Sequence, residues 1–245
     1  MDDLLILSSG LFFLALASGM LGLGVAFAAV PFLGLFITDL VHEVQPLSLL
    51  LNGVTAMLST LGFARSGLVD WRKAGMLAAV TSVSAPVGAL LVQYVEQRNV
   101  WIVYFAAALY LVYRLFRKAE AMVQRERFMT SVALAFPISV LSGFLGVGPG
   151  FLLMPTLIVL GNEPKRAAGI NAFAVTPPSF TSLIPHLTTA KWDFMVMPTL
   201  LVVGAVGSFV GARITSTRVP SPLLKRLFAA LIVLVTVYKL YTLLA

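Results

Sequence analysis

The chain has 245 residues, 59% of them hydrophobic and 11% charged, with a net charge of +7 and no cysteine. Soluble domains carry about 25% charged residues. This composition, with a mean hydropathy of +0.97, excludes that class and predicts an all-α polytopic membrane protein. Without cysteine there is no disulfide, thiolate nucleophile or Cys metal site. The positive charge fits basic loops beside anionic lipid rather than a nucleic-acid partner.

The N-terminus is acidic (Asp2, Asp3), where a signal peptide would be basic, so no cleavable leader is expected. Residues 4–37 carry no charge. As one straight helix they would measure about 51 Å, against a hydrocarbon core of about 30 Å. Within them lie Ser18-Gly19-Met20-Leu21-Gly22-Leu23-Gly24 and then Pro31. Each glycine costs about 1 kcal/mol relative to alanine in a helix interior, so the run is predicted to be a broken helix. At membrane depth such a break is tolerated where the freed backbone faces protein, a cavity or a ligand. A polar turn at 38–43 follows, then predicted spans at 46–64, 74–95 and 99–116.

The stretch 114–127 is the most basic, with Arg114, Arg117, Lys118, Arg125 and Arg127. Residues 119–127 are predicted to be a cytoplasmic linker between a first repeat, 1–118, and a second, 128–245. The second repeats the plan. A broken run, 128–160, holds Ser142-Gly143-Phe144-Leu145-Gly146-Val147-Gly148 and Pro155. A turn with Glu163, Lys165 and Arg166 follows, then spans at 167–187, 194–212 and 222–244. Further matches are Asn52 with Asn171, Asp70-Trp71-Arg72 with Lys191-Trp192-Asp193, and Val87-Gly88 with Val206-Gly207. The last is Val112-Tyr113-Arg114-Leu115 with Val237-Tyr238-Lys239-Leu240.

Charge selects between two topologies. If each broken run crosses once, the eight crossings leave the basic residues almost evenly split. If each run dips in and returns, each half has three full crossings and the second half is inverted. Fourteen basic residues then share one face and three the other, a normal positive-inside asymmetry. The expectation is therefore two inverted repeats, each a re-entrant broken pair plus three transmembrane helices, with both termini outside.

No Asp or Glu falls mid-span, so a proton-coupled mechanism lacks its obvious carboxylate. His42 and His186 fall on the outer face and are expected as solvated loop residues. The polar groups at depth are neutral: Ser18, Asn52, Thr55, Ser142, Asn171, Thr176 and Ser179. Helix N-termini after the breaks, at Gly22 and Gly24 and at Gly146 and Gly148, would offer free N–H groups and positive dipole ends. With the two asparagines they would suit a small oxyanion. The competing reading is close helix packing for the glycines and an interhelical hydrogen bond for each asparagine. Pro31 and Pro155 are expected to mark the breaks, and Pro177 and Pro178 to interrupt the span after Asn171. Neither a phosphate-binding loop nor metal-ligand spacing is present, and no cofactor is expected.

At the duplicated S-G-x-L-G-x-G with its downstream proline, the following asparagine and the aligned tryptophan, the chain resembles the sulfite exporter TauE/SafE family of membrane permeases. The resemblance covers essentially the whole chain. It implies secondary transport of small oxyanions, such as sulfite and sulfonates, across the bacterial inner membrane, driven by a gradient rather than ATP. The expected partners are the substrate anion, the lipid bilayer and possible coupling by a proton or sodium ion. The chain departs from the family pattern at Val25-Ala26 and Pro149-Gly150. The alternatives are a membrane-embedded enzyme, which lacks a nucleophile–base pair at depth, and an assembly subunit, which leaves the repeated breaks unexplained.

Overall fold

The computed structural model describes residues 2–103, 106, 110, 126–221, 223, 226 and 230. Eight helices build the described part: α1 (Asp2–Leu21), α2 (Ala26–Leu33), α3 (Gln45–Ala64), α4 (Trp71–Leu91), α5 (Phe128–Leu145), α6 (Gly150–Val159), α7 (Pro164–Leu183) and α8 (Met197–Thr217). Residues 97–103 are also helical. Among the described residues, five segments are long and apolar enough to cross a membrane: Leu4–Leu21, Leu40–Ala64, Trp71–Tyr94, Phe128–Leu145 and Met197–Thr217. Most of the predicted span 99–116, linker residues 119–125, most of span 222–244 and the Val112 and Val237 tetrapeptides lie outside the described residues.

Each broken run turns back on itself. The Gly10 backbone of α1 lies against the Phe32 ring of α2, and Leu7 and Leu33 border one cavity. In the second run the Arg127 N–H, just before α5, donates to the Leu160 carbonyl at the end of α6, at 2.9 Å. Both ends of each run therefore lie together, as a re-entrant hairpin requires.

The breaks are made by glycine alone. Gly22, Gly24, Gly146 and Gly148 have φ of 64°, 69°, 67° and 68°, a left-handed region that costs other residues about 1–2 kcal/mol. Pro31 and Pro155 do not mark the breaks as expected, since both lie inside continuous helices, α2 and α6. Pro177 and Pro178 do not interrupt α7 either. Pro178 has no N–H for the Ala174 carbonyl four residues earlier. The Thr81 hydroxyl of α4 donates to that carbonyl instead, at 3.0 Å, so the helix continues.

Contacts recur when the halves are exchanged. The main packings are α1 on α8 and α5 on α4, then α3 on α8 and α7 on α4, with α3 against α7 at the centre. Gly211 packs on the Leu16 carbonyl and the Met20 N–H, and Gly88 packs on the matching Val140 carbonyl and Phe144 N–H. Gly88 thus corresponds to Gly211, one helical turn beyond the expected Gly207. Asp70 caps the Lys73 N–H and Asp193 caps the Val196 N–H, both at 3.1 Å. These aspartates are the true equivalents, and the expected Trp71–Trp192 alignment is displaced by two residues. Cap geometry sets this register, whereas a shared tryptophan does not.

The two central helices run in opposite directions. Gly53 in α3 meets Phe180 late in α7, while Leu68, just past α3, meets Gly169 early in α7. Loops segregate accordingly. Lys191 bonds the 39–43 turn through Asp39 and through the His42 carbonyl, and Gln97 bonds Thr38 and Leu40. At the opposite end Lys73 pairs with Glu126, Ser221 with Glu163 and Arg213 with Ser66.

Candidate functional site

The two breaks meet at the centre of the molecule. Phe27 and Phe151, each the second residue of its short helix, stack with ring centroids 4.8 Å apart and planes at 18°. They occupy matching positions in the two runs. The N-termini of α2 and α6 therefore converge, and Gly150 lies against the Leu23 carbonyl. The sequence held the signal, since phenylalanine recurs three residues after the last glycine of each copy.

The first N-terminus is closed by side chains. Asn52 Oδ1 accepts the Ala26 N–H at 2.9 Å, and Thr55 Oγ1 accepts the Val25 N–H at 3.1 Å. Asn52 Nδ2 donates to Ser179 Oγ at 2.8 Å. Asn52 is fully buried with both amide atoms engaged. An N-terminus held this way has its first donors satisfied within the protein.

The second N-terminus differs by a matched pair of replacements. Pro149 stands where Val25 does, so there is no N–H to cap, and Ala174 stands where Thr55 does, so there is no hydroxyl to cap it. Asn171 turns away from its expected partner. Its Nδ2 donates to the Gly22 carbonyl at 2.7 Å and to the Gly150 carbonyl at 3.3 Å. Its Oδ1 is buried and has no partner among the described residues. No bond among them closes the Gly150 or Phe151 N–H. One break is therefore self-capped, and the other keeps donors and an acceptor open.

The remaining expected site residues fall as follows. Ser18 and Ser142 are buried at matching positions, and neither hydroxyl has a partner among the described residues. Gly24 and Gly148 both lie against the Asn52 amide, Gly22 against the Ala168 carbonyl and Gly146 against the Gln45 side chain. Thr176 is not brought into the cluster. It is half-buried, and its hydroxyl donates to Ala172 of its own helix at 2.9 Å. Gln45 was not anticipated. It is fully buried, and its Nε2 donates to the Phe144 carbonyl at 3.3 Å. Ser208 was also missed, and it donates to the Thr55 carbonyl at 2.7 Å. Its place between Gly204, Gly207 and Gly211 was the available signal, because a small-residue stripe marks close helix approach.

A cavity of about 290 Å³ opens at the Lys191 end, with Leu7, Leu33 and Leu200 in its apolar wall and Glu43, Lys191 and Asp193 among its polar residues. Lys191 Nζ lies 3.0 Å from Asp39 Oδ2 and 3.8 Å from Glu43. Burial pushes the Asp39 carboxyl upward, but Lys191 and the His42 hydrogen bonds outweigh it and hold the group below its ordinary value of 3.8. His186 is not the solvated loop residue expected. It is fully buried, with Nδ1 3.4 Å from Gln93 and a hydrogen bond to the Val41 backbone. The turn after α7 folds it inward beneath the 41–42 segment, which loop position alone does not reveal.

A family model described as "Sulfite exporter TauE/SafE" matches residues 7–239. The chain is 28% identical over 241 residues to a "Probable membrane transporter protein" of Xylella fastidiosa (strain Temecula1 / ATCC 700964), covering 92% of this chain and 90% of that one. It is 23% identical over 224 residues to the "Probable membrane transporter protein YunE" of Bacillus subtilis (strain 168), covering 80% and 82%. No solved structure gives a significant match.

Proposed function

The chain belongs to the sulfite exporter TauE/SafE family, a multi-pass membrane transporter rather than an enzyme, and from that premise we propose that it is a secondary transporter of small oxyanions, sulfite or sulfonates, across the bacterial inner membrane. The observation that carries this reading is the open N-terminus of α6. Gly150 and Phe151 N–H groups with no partner among the described residues lie at the convergence of two re-entrant helices, beside the Asn171 Oδ1, likewise unpartnered among them. Helix N-termini favour anions through their unsatisfied donors and positive dipole end. A site with no fixed cation holds the anion by these dipoles alone, which permits release. Asn171 Oδ1 supplies an acceptor, so an oxyanion that carries a proton, such as hydrogen sulfite, complements the site better than a fully ionised one.

The test is counterflow of labelled sulfite and sulfonates in proteoliposomes. Saturable exchange, competed by unlabelled substrate, is expected. Absence of saturable flux across a broad anion panel would sink the reading.

We further propose the inverted topology, with the basic 65–73, 126–127, 160–166 and 213–221 segments facing the cytoplasm. The antiparallel α3–α7 pair and the two hairpins support it. Because the chain has no cysteine, single labels are clean. Thr38→Cys and Thr188→Cys, both exposed, should react with an impermeant thiol reagent on intact cells. Ser66→Cys and Arg166→Cys, also exposed, should stay protected until lysis. If Thr38→Cys and Arg166→Cys behave alike in intact cells, the inverted arrangement is wrong.

A further inference from the structure

The two broken runs carry equivalent buried faces of opposite character. On α1 the inward positions are Leu7, Leu11, Ala15 and Ser18, and on α5 the matching positions are Ser131, Ala135, Ser139 and Ser142. The spacing of four, four and three residues places each set on one face of its helix. All four α5 residues are fully buried. The hydroxyls of Ser131, Ser139 and Ser142 have no hydrogen-bond partner among the described residues.

A helical serine readily satisfies itself on the carbonyl four residues earlier. Thr55, Thr60, Thr81, Thr156, Thr176 and Ser179 all do so here. Ser8, Ser18, Ser48 and Thr215 are also unpartnered among the described residues, but only α5 gathers three such hydroxyls on one buried face. Buried polar groups almost always find a partner in protein or water, and free ones in a row are the lining that a polar solute needs. The row starts beside Arg127 and ends at Ser142, in the glycine break. Near its start lie Lys73, 5.7 Å from the centroid of the Phe128 ring, and the end of α6. The equivalent face of α1 offers two leucines over the same length.

We infer that the inward face of α5 lines the path by which a small hydrated anion passes between the basic face and the central break. This inference rests on the transporter reading for the identity of the solute, but its geometry is tested without transport. Serine hydroxyls donate to an oxyanion and accept from its water shell, so the lining suits a solute that moves partly hydrated.

The experiment is cysteine accessibility in the otherwise cysteine-free chain. Ser139→Cys and Ser142→Cys are compared with Leu11→Cys and Ala15→Cys, using a sulfonate-bearing methanethiosulfonate reagent on inside-out vesicles. The serine replacements are nearly isosteric, and elution of each variant as a single species in detergent confirms folding. Ser139→Cys and Ser142→Cys should react at least tenfold faster than the two α1 positions. A millimolar sulfonate, which unlike sulfite does not attack the thiosulfonate reagent, should slow the reaction at Ser142→Cys. Equal rates on the two helices, or no reaction at either serine position, would overturn the inference. Fast reaction at the serines without any anion flux in proteoliposomes would uphold the path and refute only the substrate reading.

Discussion

Gly22→Ala is expected to lose most of its folded population in detergent, with a melting transition far below that of the parent. Two costs add at this position. A φ of 64° penalises alanine by about 1–2 kcal/mol. The new methyl would also overlap the Ala168 carbonyl oxygen at the start of α7, and forcing a group into a packed site costs about 1–3 kcal/mol more. The colliding atom is backbone, which cannot swing aside. Marginally stable proteins do not survive the sum easily. Gly75→Ala is the matched control. It lies in α4 with nothing near its added methyl, so it should be neutral or stabilise by about 0.5–1 kcal/mol. Thermal unfolding followed by tryptophan fluorescence separates the two. Similar transitions for Gly22→Ala and the parent would mean that the break does not pack as described.

The second large effect is a split between the two asparagines. Asn52→Ala removes the cap of α2 and the partner of Ser179, leaving a buried N–H unsatisfied at a cost of about 1–3 kcal/mol. It should lower thermal stability, and whatever remains folded should still bind the anion. Asn171 donates only to carbonyls and has a free oxygen at the open break. Asn171→Ala should leave stability less affected and weaken substrate binding, by about 1.5–3 kcal/mol if one hydrogen bond to a charged ligand is lost. That is roughly a tenfold to hundredfold change in Kd. Binding to purified protein, measured by calorimetry beside melting curves, reads both effects. If Asn52→Ala costs binding and not stability, while Asn171→Ala does the reverse, the assignment of the open site to α6 fails.

Some of this was legible before any coordinates. Hydropathy and the uncharged 4–37 run determine a polytopic helical protein, because a long apolar run with no charge has one stable solvent. The repeated glycine cluster determines where each run breaks, since three glycines in seven residues cannot pay their way in a straight helix. Loop charge points to inversion, because positive-inside bias acts on local sequence. The asparagines at matching positions are visible for the same reason: a buried amide in an apolar span is conspicuous.

Only the tertiary structure decides how those amides are used. Asn52 and Asn171 look equivalent along the chain, yet one closes a helix and the other leaves its helix open. The difference lies at Val25, whose N–H the distant Thr55 hydroxyl caps, and at the matching Pro149 and Ala174, which have neither the N–H nor the hydroxyl. Pro31, Pro155, Pro177 and Pro178 look like breaks. They stay helical where folding supplies another partner, as the Thr81 hydroxyl does for Ala174. The stacked Phe27–Phe151 pair, the inward fold of His186 and the unpartnered serine row of α5 are likewise set by which faces the folded chain turns inward. A hydrogen-bond partner or a packed neighbour brought from a distant helix has no local signature, so these features emerge only when the helices assemble.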